Sequence, residues 1–274
     1  MQSDFGQRGI DNARLDADLL VAHALGVKRI ALFLDPDRPL IDAELSAIRA
    51  LVARRRGREP MAYILGEREF YGRAFTVTRD VLIPRPDTET LVDEAKRFLE
   101  RAPEGSVLDL CTGSGAVGIT LAAECAGRAV VVTDLSAEAL AVATGNATRH
   151  ELTGRVSTRH GDLFAVVGEG ETFACITVNP PYIGAHELAD LMPEVREFEP
   201  RMALDAGEDA LAFYRRIARD APRHLAPSGG VFVEVGIHQA DAVRALFEEA
   251  GLTDVRVVRD LAGIERVVGG VYAG

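Results

Sequence analysis

From residue 106 onward, short apolar runs alternate with helical stretches, and this alternation constrains the fold more than any other feature of the chain. Val107–Leu110, Ala129–Thr133, Val156–Arg159 and Phe173–Val178 read as strands, followed by Gly230–Val235, Val255–Val258 and Arg266–Val268. Helices are predicted from a glycine-rich segment to about Cys125, over Ser136–Arg149, where Ser136 and Glu138 suit an N-terminus, and over 238–250. Alternation of this kind predicts a parallel sheet with helices on both faces. Between the fourth and fifth strands, Pro180–Asp209 is polar, carries prolines and lacks periodicity. Loops of that length in a compact domain are usually functional or disordered.

The upstream part has a different texture. Residues 11–57 read as helices, with Leu15, Leu19, Leu20, Ala24 and Leu25 at helical spacing, then Leu45, Ile48, Leu51 and Val52. Asp42 stands at the predicted N-cap of the second run, and Gly57 and Pro60 end it. From Tyr63 to Pro86 the interleaved apolar residues predict a β-hairpin or extended linker, and Thr88–Leu99 resumes as a helix. The expected organisation is a helical domain over 1–75, a hairpin end and linker helix over 76–105, and a ligand-binding strand–helix domain over 106–274.

Composition narrows the function classes. With 47% apolar and 27% charged residues the chain can bury a sizeable core, which excludes a disordered or collagen-like polypeptide. No run of about 18 uncharged apolar residues is present, and the acidic start at Asp4 does not fit a signal peptide. Cys111, Cys125 and Cys175 are odd in number and unclustered, so neither a disulfide framework nor a metal site is expected, and the cytoplasm is the expected compartment. A net charge of −11 argues against a broad grip on nucleic acid. Arg54, Arg55, Arg56 and Arg58 form the one dense basic cluster, read as a solvated helix end whose cations suit the helix dipole.

Two segments carry chemistry. Asp109-Leu-Cys-Thr-Gly113-Ser-Gly115-Ala-Val-Gly118 lies at a strand end and opens a helix, where glycines let the backbone turn sharply and approach a ligand. The three glycines satisfy the dinucleotide fingerprint in form, and Asp134 at the next strand end can accept hydrogen bonds from ribose hydroxyls. An adenosine-bearing ligand is therefore predicted. Asp109 and three more residues intervene before the first glycine, unlike the usual dinucleotide arrangement. An acidic strand-end residue can face the cationic amino acid moiety of S-adenosylmethionine, which favours a methyl donor. A bare tight turn would leave Asp109 and Asp134 without a role.

The second segment, Asn179-Pro180-Pro181-Tyr182, follows the apolar fourth strand directly and so falls at the ligand-binding ends of the strands. An amide or exocyclic amine has its lone pair delocalised, so a methyl acceptor of this kind must be held with the nitrogen aimed at the methyl carbon. The Asn179 side-chain oxygen and the Pro180 carbonyl can accept its two N–H groups, the prolines fix that carbonyl, and Tyr182 offers a flat face. A plain Asn-Pro turn would not account for the whole combination after a buried strand. No Ser-His-Asp or Cys-His arrangement is visible, so direct transfer without a covalent enzyme intermediate is expected.

These two segments together form the shared signature of class I methyltransferases acting on planar amino or amide nitrogens, and the chain resembles bacterial release factor glutamine methyltransferases. The resemblance extends to Pro60-Met-Ala-Tyr-Ile-Leu-Gly66, Phe70-Tyr-Gly72, Val81-Leu-Ile-Pro-Arg-Pro-Asp-Thr-Glu89, Glu199-Pro200, Ala203–Leu211 and Ala262–Val267. It implies a Rossmann-like, seven-stranded, mostly parallel sheet with a small all-helical N-terminal domain joined by a β-hairpin. It also implies N5-methylation of the glutamine in the Gly-Gly-Gln motif of class 1 release factors, with no membrane or direct nucleic-acid substrate. By resemblance, Asp109, Cys111, Thr112, Gly113, Ser114 and Gly115 line the methionine end of S-adenosylmethionine and Asp134 holds the ribose. Asp162 and Leu163 flank the adenine, Asn179 is a further cofactor contact, and Asn179, Pro180, Pro181 and Tyr182 hold the glutamine. Two positions depart from the pattern: Cys111 stands where glycine is frequent, and Leu163 where an aromatic residue can occur.

Neighbouring activities share parts of these signatures. Glutamine methylation of a ribosomal protein would use the same tetrapeptide, as would adenine-N6 or guanine-N2 methylation of nucleic acid. A nicotinamide-dependent dehydrogenase or a non-catalytic adenosine sensor would leave Asn179 and Tyr182 idle.

Overall fold

The computed structural model describes residues 1–274. Its helices are α1 Gln2–Gln7, α2 Ala13–Leu25, α3 Ala31–Leu34, α4 Asp42–Arg56, α5 Met61–Leu65, α6 Glu89–Leu99, α7 Ala116–Glu124, α8 Ala137–Arg149, α9 Pro193–Phe198, α10 Ala212–His224 and α11 Ala240–Glu249. Its strands are β1 Glu67–Phe70, β2 Arg73–Thr76, β3 Val107–Leu110, β4 Val130–Asp134, β5 Val156–His160, β6 Phe173–Val178, β7 Leu225–Glu234, β8 Thr253–Arg259 and β9 Glu265–Val271. Two compact units result, Met1–Glu67 with Met192–Phe198, and Arg68–Leu191 with Glu199–Gly274. The division falls at Glu67 instead of near residue 75, because Phe70 and Phe75 of the hairpin belong to the core of the larger unit.

In the helical unit, Phe5, Ile10, Leu20, Ile48, Val52 and Ile64 form the core. Asp42 is the first residue of α4 and not its cap: Ile41 is the cap, and the Glu44 carboxylate reaches back to accept its N–H at 3.1 Å. Helices α1 and α5 escape the sequence reading because six and five residues are too few to display a 3.6-residue period. Tyr63 is accordingly helical and not the start of an extended segment. The basic cluster is a solvated helix end only in part, with Arg54 and Arg56 exposed in the last turn of α4 and Arg55 buried. Arg55 is buried and donates to Asp16 at 2.8 Å and to Glu194 of α9 at 3.2 Å, while Arg58 reaches Glu194 at 2.7 Å. Arg54 and Arg56 pair with Glu59 and Asp4. Each guanidinium of the cluster thus sits on a carboxylate.

The larger unit opens with the β1–β2 hairpin, whose two turn residues, Tyr71 and Gly72, have φ of 52° and 70°. Both central residues of a tight hairpin need this left-handed region, and glycine adopts it without strain. The seven-stranded sheet runs in the order β5-β4-β3-β6-β7-β9-β8, parallel except for β9, which lies antiparallel between β7 and β8. Side chains alternate across the sheet. Leu108, Leu110, Ile176 and Val178 pack in the layer of α10 and α11, whereas Val107, Val130 and Val132 pack in the layer of α6, α7 and α8. Helix α10 has no counterpart in the sequence reading, and the Pro180–Asp209 stretch is ordered into short helical turns around a bridge between Ile183 and Asp205.

Candidate active site

Register brings the two chemical segments together. Leu110 of β3 lies opposite Thr133 of β4 on one side and Val178 of β6 on the other. Cys111, Asp134 and Asn179 therefore follow at three adjacent strand ends, spaced by about 4.8 Å per strand. From β3 the chain order runs one way to β4 and β5 and the other way to β6 and β7, the switch point at which open α/β sheets bind ligands. A cleft opens there, lined by Thr112, Asp134, Leu163, Asn179, Met202 and Phe213 among others.

The donor side of the cleft is tightly hydrogen-bonded. Asp109 is 1% exposed and accepts from the Thr112 hydroxyl at 2.5 Å, the Thr177 hydroxyl at 2.7 Å and the Gly118 N–H at 3.1 Å. Burial pushes its carboxyl up to about 6 despite these three bonds. All three partners are strand, loop and helix groups, so Asp109 fastens the glycine loop to β6 and α7. A Cβ at Gly118 would lie 2.6 Å from Val132, so only glycine lets α7 approach the sheet this closely. Asp134 accepts from Gly113 N–H at 2.8 Å and from Ser136 N–H at 2.9 Å, one donor on each oxygen. Lone pairs remain on both oxygens for a vicinal diol, and the cleft therefore suits an adenosine-bearing ligand. Cys111 has φ of 55°, the left-handed conformation that glycine adopts without strain. Burial and the neighbouring Asp134 and Asp109 raise its thiol well above the ordinary range, so it does not form a reactive thiolate.

At the far side of the donor half, Leu163 is buried in the core with φ of 46°, and the Asp162 carboxylate is held by Arg216 of α10 at 2.6 Å. Phe213, one turn earlier on α10, lines the same cleft.

The acceptor side is built on the turn after β6. Pro180 and Pro181 are buried and Asn179 and Tyr182 half-buried. The Tyr182 carbonyl accepts from Gln239 Nε2 at 2.9 Å, and the Tyr214 hydroxyl donates to the Glu234 carbonyl at 3.0 Å, which braces the end of β7. The Tyr182 hydroxyl lies 3.5 Å from Glu234 Oε1, and Asn179 Nδ2 lies 3.4 Å from the Thr88 hydroxyl. Sequence reasoning missed Thr88, Glu234 and Gln239 as site residues. Glu234 had a signal, as a lone carboxylate in the apolar run Val231-Phe-Val-Glu-Val235. The Ile83–Glu89 string also acquires a physical role: buried Glu199 accepts from Ile83 N–H at 3.1 Å and from Arg85 at 2.5 Å. That pairing ties the string to Pro200, Met202 and Ala203, which wall the cleft.

Comparison with known proteins gives the family of the chain. The chain is 47% identical to the release factor glutamine methyltransferase of Geobacter sulfurreducens over 96% of its own length and 91% of that protein's. The chain belongs to the release factor glutamine methyltransferases. Against the Bordetella pertussis member of the family the identity is 48%, covering 94% of each chain. Residues 1–66 match the family described as the PrmC N-terminal domain, and residues 88–194 the one described as the methyltransferase small domain. A methyltransferase structure from Pyrococcus furiosus superposes with a TM-score of 0.55 at 17% identity, covering 84% of this chain and 100% of that one, a likeness of fold. The seven-stranded, mostly parallel sheet and the S-adenosylmethionine dependence expected from the sequence both stand within this family. No helix of the chain is long and apolar enough to cross a membrane.

Proposed function

We propose that this chain transfers a methyl group from S-adenosylmethionine to the side-chain nitrogen of a glutamine, that of the Gly-Gly-Gln motif of class 1 release factors. The observation that carries the reading is the β3–β6 register, which sets the glycine loop and Asn179-Pro-Pro-Tyr182 at neighbouring strand ends in one cleft. When bound, the donor supplies a sulfonium-activated methyl group. Asp134 holds the ribose, the loop Cys111–Gly115 lines the methionine end, and Asp162 and Leu163 border the adenine. Asn179 Oδ1 and the Pro180 carbonyl accept the two N–H groups of the acceptor amide, while Tyr182 supports its planar face. Holding the nitrogen in place removes rotational freedom that would otherwise add to the barrier. Burial raises the thiols of Cys111 and Cys175, so neither serves as a nucleophile.

Recognition of a whole protein needs contacts away from one glutamine. The helical domain supplies an apolar surface for this, with Ile30, Phe33, Leu34 and Ile41 at 62%, 49%, 78% and 64% exposure. Changing Leu34 to Asp is expected to raise KM for intact release factor while leaving that for a short Gly-Gly-Gln peptide unchanged. The decisive experiment on function incubates the chain with labelled donor and purified release factors, then locates the label by peptide mass. Label on a ribosomal-protein glutamine or on nucleic acid, with release factors unlabelled, would replace the reading.

A further inference from the structure

The turn after β7 carries a side-chain amide that none of the roles above uses. Gln239 is half-buried there, and both ends of its amide are engaged. Its Nε2 donates to the Tyr182 carbonyl at 2.9 Å, and its Oε1 accepts from the Gly236 N–H at 3.0 Å. The hydroxyl of Tyr214, a fully buried residue of α10, lies 3.2 Å from the same Oε1 and 3.0 Å from the Glu234 carbonyl. A backbone N–H only donates and a backbone carbonyl only accepts, so the two ends of the Gln239 amide are not interchangeable. The oxygen must face Gly236 and the NH2 group must face Tyr182.

Gly236 is itself packed on the acceptor clamp. A Cβ there would lie 3.1 Å from Tyr182 Cδ2 and 2.9 Å from Gln239 Oε1, so glycine is what lets this backbone come so close to the ring. The backbone N–H of Gln239 closes the turn onto the Gly236 carbonyl at 3.2 Å. One residue therefore fixes both the main chain of Tyr182 and the backbone that backs its ring. We propose that Gln239 is a positioning residue for methyl transfer, setting the Tyr182 ring against the plane of the acceptor amide by tying the Tyr182 carbonyl to the Gly236 turn. This rests on the reading of Tyr182 as the support of the acceptor. Gln239 acts through Tyr182 and not on the reacting atoms.

Two substitutions separate this role from one in merely closing the turn. Gln239→Glu, when ionised, keeps an oxygen for Gly236 and the Tyr214 hydroxyl but sets its other oxygen against the Tyr182 carbonyl, where two acceptors repel. Gln239→Met keeps a similar length and gives up every hydrogen bond of the amide. Each full-length variant is assayed with labelled donor at about pH 8.5, far above the ordinary glutamate value of about 4.3. The acceptors are intact release factor and a short Gly-Gly-Gln peptide, and thermal melting and donor titration run alongside. Wild-type labelling of the release factor tests the proposed function itself, and the variants, compared with that wild type, test the inference. Both variants are expected to lower kcat about 10- to 100-fold, the scale of a reacting pair displaced by about 1 Å, and to do so equally with the two acceptors. Donor affinity should stay within about threefold, because Asp109 and Asp134 fix the donor half from other strands. The inference is overturned if folded, donor-binding Gln239→Glu keeps kcat within about twofold of wild type, since closing the turn would then be the whole role. It is equally overturned if a variant loses donor affinity as much as rate. Loss of rate on the intact release factor alone would also overturn it, making the turn a docking surface and not a support for Tyr182. Should Gln239→Glu fail to fold, Gln239→Met decides by its rate on the two acceptors and its donor affinity.

Discussion

The two halves of the cleft are built to different tolerances. On the donor side, every oxygen of Asp109 and Asp134 has a partner, at distances from 2.5 to 3.1 Å. On the acceptor side the backbone of Tyr182 and Glu234 is braced at 2.9 and 3.0 Å, but the side-chain contacts of Asn179 and Tyr182 are 3.4 and 3.5 Å, and one buried carboxylate oxygen has no partner at all. A loop that binds one invariant ligand gains from being held rigidly before that ligand arrives. A clamp that must align an amide carried by a large protein gains from bonds that can tighten around it. The contrast predicts that lesions on the acceptor side act on the rate of transfer, and lesions on the donor side on affinity or stability.

The largest effect is expected at Asn179. On the proposed reading, Asn179→Ala removes the oxygen that orients the acceptor, and it should abolish methyl transfer. Binding through one uncharged hydrogen bond contributes only about 0.5–1.5 kcal/mol, so donor affinity should barely change. Near-full turnover of this variant, measured with labelled donor, would break the division between the halves.

Asp109 tests the other half through pH. Its carboxyl lies at about 6 against an ordinary value of 3.8, because burial outweighs its three hydrogen bonds. Between these values the folded protein holds a proton that the unfolded chain has released, so stability falls as pH rises from about 4 to about 6. Two units correspond to a loss on the order of 3 kcal/mol, complete above pH 6. Asp109→Asn cannot titrate, so its stability relative to wild type should improve over this window and then level off. Parallel denaturation curves at every pH would show that Asp109 is not buried as described. Asp134→Ala should follow in size. Losing a charged acceptor for the ribose costs about 1.5–3 kcal/mol per hydrogen bond, which calorimetry with S-adenosylmethionine would read as a 10-fold or greater loss of affinity. Unchanged affinity would place the ribose elsewhere.

How much of this the sequence discloses depends on whether the information is local. Strands β3 and β6 are legible to the residue because each is a short apolar run bounded by turn or polar residues. The glycine loop and Asn179-Pro-Pro-Tyr182 are legible because their chemistry is contiguous. Helix α10 was missed although its apolar face is strongly one-sided, because charged residues and Pro222 interrupt the run. Thr88 and Glu234 meet Asn179 and Tyr182 across 91 and 52 positions and only in the folded chain, so no spacing rule could join them. Arg55 is similar: its partners Asp16 and Glu194 are remote in sequence, and a buried ion pair read as a surface charge run.

The smallest effect is expected at Cys111, where the donor half departs from glycine. A side chain in the left-handed region costs about 1–2 kcal/mol, and Cys111 carries that strain at φ of 55°. Cys111→Gly would relieve it, while the freer unfolded chain would return about 0.5–1 kcal/mol of the gain. The net change should be a stabilisation of about 1 kcal/mol or less, read as a small rise in Tm. The thiol is raised by burial and by three neighbouring carboxylates, so it contributes no charge to the loop and its removal should leave donor affinity unaltered. A cysteine-directed alkylating reagent near neutral pH should likewise leave Cys111 unmodified in the folded chain. If Cys111→Gly instead weakened donor binding tenfold, the thiol would be a ligand contact of its own, and the rigid half of the cleft would owe its affinity to more than backbone shape and Asp134.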